Sequence, residues 1–330
     1  MDYWLPIIYM AAMGLALLIY VILDGYDLGV GMLLPLAEED EKDVMVASIG
    51  PFWDANETWI VLGVGILLIA FPLAHGIVLT SLYLPVTIML MGLILRGVAF
   101  DLRVKAGDHH RGRWNRAFFL GSLIASAAQG WMLGAYVTGL QTTPTSLLFA
   151  VLIALTLPAL YLVLGCGWLV IKTEGVLQRK TLGWARVAVW PMGLGLLLVS
   201  IATPLVSASI AQKWFSWPGF LYLAPIPLVC ALAFAAILLM LRRDGWAAGS
   251  RSWWLYGAVV LICVMASIGL GYSLFPHVII DRMTIWEAAA ATDSLLFTLF
   301  GVVLTLPVII VYTIFVYRIF HGKATALSYE

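Results

Sequence analysis

Asp24 and Asp27 stand three residues apart in LDGYDLGVGML, one helical turn from each other in an otherwise apolar stretch. Asp54, Asn56 and Glu57 follow in GPFWDANETWIV, with Trp59 just beyond, and Arg96 and Asp101 in LRGVAFDLR. Carboxylates held out of water, with an amide and a guanidinium nearby, are the groups that pass protons or hold ions. Each ionisable side chain at the centre of a membrane helix costs about 2.5–3.5 kcal/mol on insertion scales, so such groups must face other helices or water and find partners. A proton or ion relay is the functional reading.

The elements that would position these groups follow from composition. The chain has 330 residues, 63% hydrophobic and 11% charged, with a mean hydropathy of +1.01. A soluble domain carries about 25% charged residues, so the chain reads as an all-α polytopic membrane protein. Zero formal net charge gives no case for nucleic acid. The N-terminus, MDYWLPIIYMAAMG, lacks the basic flank of a signal peptide and reads as the first span, retained.

A span needs about 20 mostly apolar residues. Nine candidates are expected, at 6–36, 45–72, 77–102, 117–141, 147–171, 187–211, 219–241, 253–275 and 285–320. Lys42 follows the first; Arg103, Lys105, Arg111, Arg113 and Arg116 follow the third. Lys172, Arg179, Lys180 and Arg186 follow the fifth; Arg242, Arg243 and Arg251 follow the seventh; Arg318 and Lys323 close the chain. With nine spans all of these fall on one side, and only Lys213 and Arg282 on the other. Cytoplasmic loops carry the Lys/Arg excess, so the N-terminus is expected outside and the C-terminus inside. Dropping 45–72 would make the basic loops alternate sides.

On this frame Asp24 and Asp27 lie in the inner half of the first span. Asp54 falls nine residues into the second, about 13 Å deep at helical rise, with Glu57 one turn further. Arg96 and Asp101 approach the inner surface on the third. Plainer readings stand beside the relay. Arg96 can neutralise Asp24 or Asp27 and staple two helices. Asp27 can be wet, and Asp101 and Arg103 can be interfacial and solvated. The glycines of GYDLGVG permit close helix approach and form no phosphate loop, since no strand precedes them.

Histidines occur at 75, 109, 110, 277 and 321, all in loops or at span ends, away from span centres where a haem would be ligated. Cys166, Cys230 and Cys263 lie in apolar runs without CxxC or zinc spacing and read as small apolar residues. There is no HExxH and no Walker sequence. The methionines read as packing. No cofactor or metal is expected on this chain, and any redox centre resides elsewhere.

Together and in this order, LDGYDLGVGML, GPFWDANETWIV and LRGVAFDLR, with FPHVI and MTIWEAAAATDSLL later, resemble subunit II of the cytochrome bd ubiquinol oxidases over essentially the whole chain. Short outer loops between helices 4 and 5 and between 6 and 7 resemble the compact, cyanide-insensitive branch. The resemblance implies a bacterial inner-membrane subunit of nine helices: a first four-helix bundle at about 6–141, a second at about 147–275, and a peripheral helix at about 285–320. It implies a heterodimer with a subunit I that carries two haems b, one haem d and the quinol site, in an electrogenic complex that oxidises ubiquinol and reduces O2 to water. A small single-helix subunit and membrane lipid are further expected partners, and some relatives hold a structural quinone or lipid on subunit II.

By resemblance, Asp54 matches a buried acid near the proton route to the haems, and Asp24 the first acid of the DG(Y/F)D motif near that route. Trp59 matches a tryptophan at an apolar oxygen passage. Asp54, Glu57, Asp24 and Asp27 would form the relay, and Asn56, Arg96 and Asp101 would support it. Glu57 stands where the family often has a neutral residue; it either adds a carrier or couples to Asp54 by like charge. A scaffold without a relay, and an ion-coupled secondary transporter using the same acids, are the other readings.

Overall fold

A computed structural model describes residues 1–105, 107–206, 208–243 and 251–324. Among them nine helices are long and apolar enough to cross a membrane. They are α1 (Trp4–Leu33), α3 (Trp53–Ala70), α4 (Pro72–Lys105), α5 (Asp108–Val137), α6 (Pro144–Lys172), α7 (Gly175–Val206), α10 (Pro225–Arg242, preceded by the short α9, Gly219–Leu223), α11 (Trp253–Leu274) and α13 (Thr292–Ile319). Three further helices, α2 (Glu39–Ile49), α8 (Ala208–Phe215) and α12 (Ile285–Ala288), lie between spans. The only strands among the described residues, β1 (His277–Ile279) and β2 (Met283–Thr284), form an antiparallel hairpin between α11 and α12.

The expected spans at 45–72 and 285–320, like that at 219–241, are divided. The segment expected at 45–72 is two helices, because Gly50 and Pro51 separate α2 from α3. Pro51 has no N–H to continue the ladder of α2, and α3 starts afresh at Trp53. α2 opens on a reciprocal cap between Glu38 and Glu41 and so begins as a polar helix. The segment expected at 285–320 is α12 and α13, parted at Ala289, whose backbone is extended. Ala290 donates its N–H to the Ala70 carbonyl at 2.9 Å, which ties this break to the joint between α3 and α4.

α1 packs along α3 and α6, α4 along α5, α5 along α6, α6 along α7, and α10 along α11. Where α1 crosses α6 the backbones touch: a Cβ on Gly29 would lie 1.9 Å from the Tyr161 carbonyl oxygen, and one on Gly165 would lie 2.6 Å from Gly29. Such contact, available only to small residues, lets membrane helices gain packing where apolar burial offers little. The result is that α1 is buried on every side from Asp24 to Leu33. α13 is the opposite case, with only Leu295 fully buried. Its last turn is nevertheless fixed. Lys172 donates to the carbonyls of Phe320 and Gly322, and Lys323 donates to those of Ile171 (2.9 Å) and Thr173 (3.1 Å).

Candidate functional site

Three helices bring the polar groups together at the basic end of the bundle. Asp24 of α1 accepts from Arg96 of α4 at 2.5 Å, and Glu57 of α3 accepts from the other terminal nitrogen of the same guanidinium, also at 2.5 Å. The Arg96 and Asp24 side chains are 1% and 0% exposed, and that of Glu57 is 27%. Arg96 also lies over the Trp53 ring, 5.5 Å from its centroid. A planar guanidinium holds its donors in a fixed geometry, and here its two terminal nitrogens serve different helices.

One turn along α1, the partner set is neutral. Asn56 donates to Asp27 at 2.7 Å and to the Tyr26 hydroxyl at 2.9 Å, and accepts from Tyr317 of α13 at 3.1 Å. Tyr26 and Tyr317 share a hydrogen bond of 2.5 Å. Asp27 and Asn56 are 0% and 1% exposed. Asp24 Oδ2, Asp27 Oδ1 and Arg96 Nε are buried without a hydrogen-bond partner. Two carboxylates thus share one guanidinium, a third is held by an amide, and buried oxygens remain to be satisfied. Such a cluster has acceptor capacity for protons and ordered water.

Asp54 departs from expectation. It lies in the first turn of α3 and its side chain is exposed on this chain. The residue two before it, Phe52, packs on Tyr317 and Phe320 at the end of α13 and under Lys172 at the end of α6. Asp54 is therefore at the surface of this chain, in the first turn of the span Trp53–Ala70 after the Gly50–Pro51 break, rather than enclosed within its bundle. Glu57 turns to Arg96 rather than resting beside Asp54 alone. Asp101 is exposed on α4, as an interfacial group would be. Arg103 is not: it is 3% exposed and pairs with Asp43 of α2 at 2.6 Å and with Asn115 of α5 at 2.6 Å. Asp27 is dry. Trp59 is 3% exposed and packs with Ala16 and Tyr20.

Sequence reasoning passed over Tyr26, Tyr317, Gln129, Tyr20 and Tyr161. Uncharged polar side chains inside spans were the available signal, most plainly the amide of Gln129 in SAAQGW.

The histidines and cysteines lie apart from this cluster. His75 and His110 stand in the first turns of α4 and α5, His277 opens β1, and His321 follows α13; the His109 side chain lies outside the described residues. Cys166 and Cys263 are buried thiols among apolar residues. Among the described residues no three of His, Cys, Asp and Glu gather as metal ligands would.

Residues 5–320 match the family described as "Cytochrome bd terminal oxidase subunit II". The chain is 26% identical to cytochrome bd ubiquinol oxidase subunit 2 of Bacillus subtilis (strain 168), over 98% of this chain and 96% of that one. It is 24% identical to cytochrome bd-I ubiquinol oxidase subunit 2 of Escherichia coli (strain K12), over 99% and 97%. Its fold is similar to a chain of the bd oxidase structure from Geobacillus thermodenitrificans, with a TM-score of 0.78 at 17% identity, covering 96% of this chain and 98% of that one. These matches favour the oxidase over a secondary transporter. The chain belongs to the subunit II family of the cytochrome bd terminal oxidases, and is a subunit of an oxidoreductase complex whose partner is a subunit I.

Proposed function

We propose that this chain is the haem-free subunit of an inner-membrane ubiquinol:O2 oxidoreductase, and that Asp24, Glu57 and Asp27 form a proton relay from the cytoplasm toward the haem-bearing subunit I. The single observation that carries the reading is Arg96 held between Asp24 and Glu57 in a buried, acid-rich cluster. Oxygen reduction consumes protons inside a low-dielectric layer, so groups must hand them inward. Glu57, the partly exposed member, is the receiving group; Asp24, wholly enclosed, is the delivering one. Asn56 holds the Asp27 carboxylate in place, and Asp54 and Asp101 collect protons at the rim.

Two haems b and one haem d belong to subunit I in this reading. The N-terminus faces outward, since the basic loops gather at one end. The first bundle comprises the helices up to about residue 141, the second those up to about 275, and α13 is peripheral. Trp59, packed among apolar side chains, lines an oxygen route. The exposed flanks of the helices accommodate lipid, a structural quinone and a small single-helix subunit.

The test is Asp24→Asn in the assembled oxidase. Oxygen uptake driven by ubiquinol falls by about 100-fold, while the haem absorbance of the purified complex is retained. Full uptake in a haem-replete Asp24→Asn complex would remove Asp24 from the relay.

A further inference from the structure

A second line of hydrogen bonds runs from Tyr20 of α1 across α5 to α6. Gln129 of α5 donates to the Tyr20 hydroxyl at 2.7 Å and accepts from the Tyr161 hydroxyl at 2.6 Å. The three side chains are 3%, 8% and 1% exposed for Tyr20, Gln129 and Tyr161. Tyr161 is pinned by close contact: a Cβ on Gly25 would lie 2.8 Å from its ring, so the ring lies against the residue that follows Asp24.

The direction of this line is determined by what each end offers. Tyr161 gives its one hydroxyl hydrogen to the Gln129 oxygen, so the Gln129 amide NH2 points at Tyr20. Tyr20 then accepts, and its own hydrogen is left over. Tyr20 lies one turn before Asp24 on the same face of α1, with its hydroxyl facing that carboxylate. Asp24 Oδ2 is buried and has no hydrogen-bond partner. A spare donor thus faces a spare acceptor.

We infer that Tyr20 is a positioning residue for the relay: it donates to Asp24 Oδ2 while Arg96 holds Oδ1, and Gln129 and Tyr161 fix the direction of the Tyr20 hydroxyl. This rests on the relay reading of Asp24. The arrangement suits a carboxyl group that must load and unload. A hydroxyl oxygen has two lone pairs; with Gln129 on one, the other accepts from a protonated Asp24, so both states have a partner. The other groups facing Asp24 are Arg96 of α4, Glu57 of α3, Asp27 of α1, Tyr161 of α6 and Tyr317 of α13.

The experiment uses the assembled oxidase carrying Asp24→Asn, Tyr20→Phe or Tyr161→Phe. The infrared carboxyl band of Asp24 is assigned by its loss in Asp24→Asn. It moves in Tyr20→Phe and moves less, in the same sense, in Tyr161→Phe. The pH profile of oxygen uptake is displaced in Tyr20→Phe by about one pH unit, as loss of a charge-assisted hydrogen bond requires. An Asp24 band unmoved in haem-replete Tyr20→Phe overturns the inference. If Tyr20→Phe does not assemble, an unmoved band in Tyr161→Phe overturns it. Full oxygen uptake by Asp24→Asn would defeat the relay reading instead, and the infrared band would still decide whether Tyr20 bonds Asp24.

Discussion

Arg96 and Asp24 meet at 2.5 Å with neither side chain more than 1% exposed, and the other terminal nitrogen of Arg96 holds Glu57. One cation therefore joins α1, α3 and α4. A buried pair of this kind is weak evidence of net stability, because desolvation offsets attraction. Losing one partner is another matter, since it strands a charge.

Arg96→Leu is expected to destabilise the fold by about 3–5 kcal/mol and to abolish the assembled complex, read as haem absorbance in purified membranes. Arg96→Lys keeps the charge but cannot serve two carboxylates with a separate nitrogen each. It gives a reduced yield of complex with a lower melting temperature. A wild-type yield from Arg96→Leu would mean the acids there are already neutral.

Asp54 is expected to behave oppositely. Its side chain is exposed on this chain and has no hydrogen bond or ion pair among the described residues that a substitution would strand. Asp54→Asn leaves stability within about 0.5 kcal/mol of wild type, read as the melting temperature of the complex, while oxygen uptake falls if Asp54 collects protons at the rim. A destabilised Asp54→Asn complex would show that Asp54 is enclosed against subunit I.

How far the sequence spoke for itself can be judged from these residues. The nine spans were legible because the apolar runs are long and every second loop is basic. The pairing of Arg96 with Asp24 was legible as one option, since an intramembrane cation needs an anion. The start of α3 just before Asp54 was missed: the expected span was carried across Gly50–Pro51, although a Gly-Pro pair is itself a breaker signal. The network of Asn56, Tyr26 and Tyr317 was not legible, because Tyr26 and Tyr317 are 291 residues apart and a tyrosine in a span carries no charge to betray it. Arg103 misled for the reverse reason. Its place beside a loop suggested solvent, but α2 folds back and supplies Asp43.

The crossing of α1 and α6 gives a steric prediction. Gly29→Ala would set a methyl group 1.9 Å from a backbone oxygen, which rotamer changes cannot relieve. The helices must separate, and overpacking of this kind costs about 1–3 kcal/mol or more. Gly14, on the same helix, has open space around it, so Gly14→Ala is expected to be neutral. Thermal denaturation of the two complexes makes the comparison. Equal melting temperatures would show that α1 and α6 are not in backbone contact.

The turn into α12 offers a prediction in pH. The Thr284 N–H donates to Glu287 at 2.7 Å and the Thr284 hydroxyl at 2.8 Å, while Thr284 accepts from the Glu287 N–H at 3.3 Å. The Thr284 N–H and hydroxyl hold the Glu287 carboxyl below its ordinary value of 4.5. A carboxyl lowered in the folded state contributes stability that is present above its unfolded value and lost as pH falls through the folded one. Residues 277–288 are therefore expected to keep their hydrogen-exchange protection at neutral pH and to lose part of it below about pH 4.5, after correction for intrinsic exchange. Glu287→Gln weakens the cap and removes that pH dependence. Protection in this segment that declines equally with pH in wild type and Glu287→Gln would show that another group governs the turn.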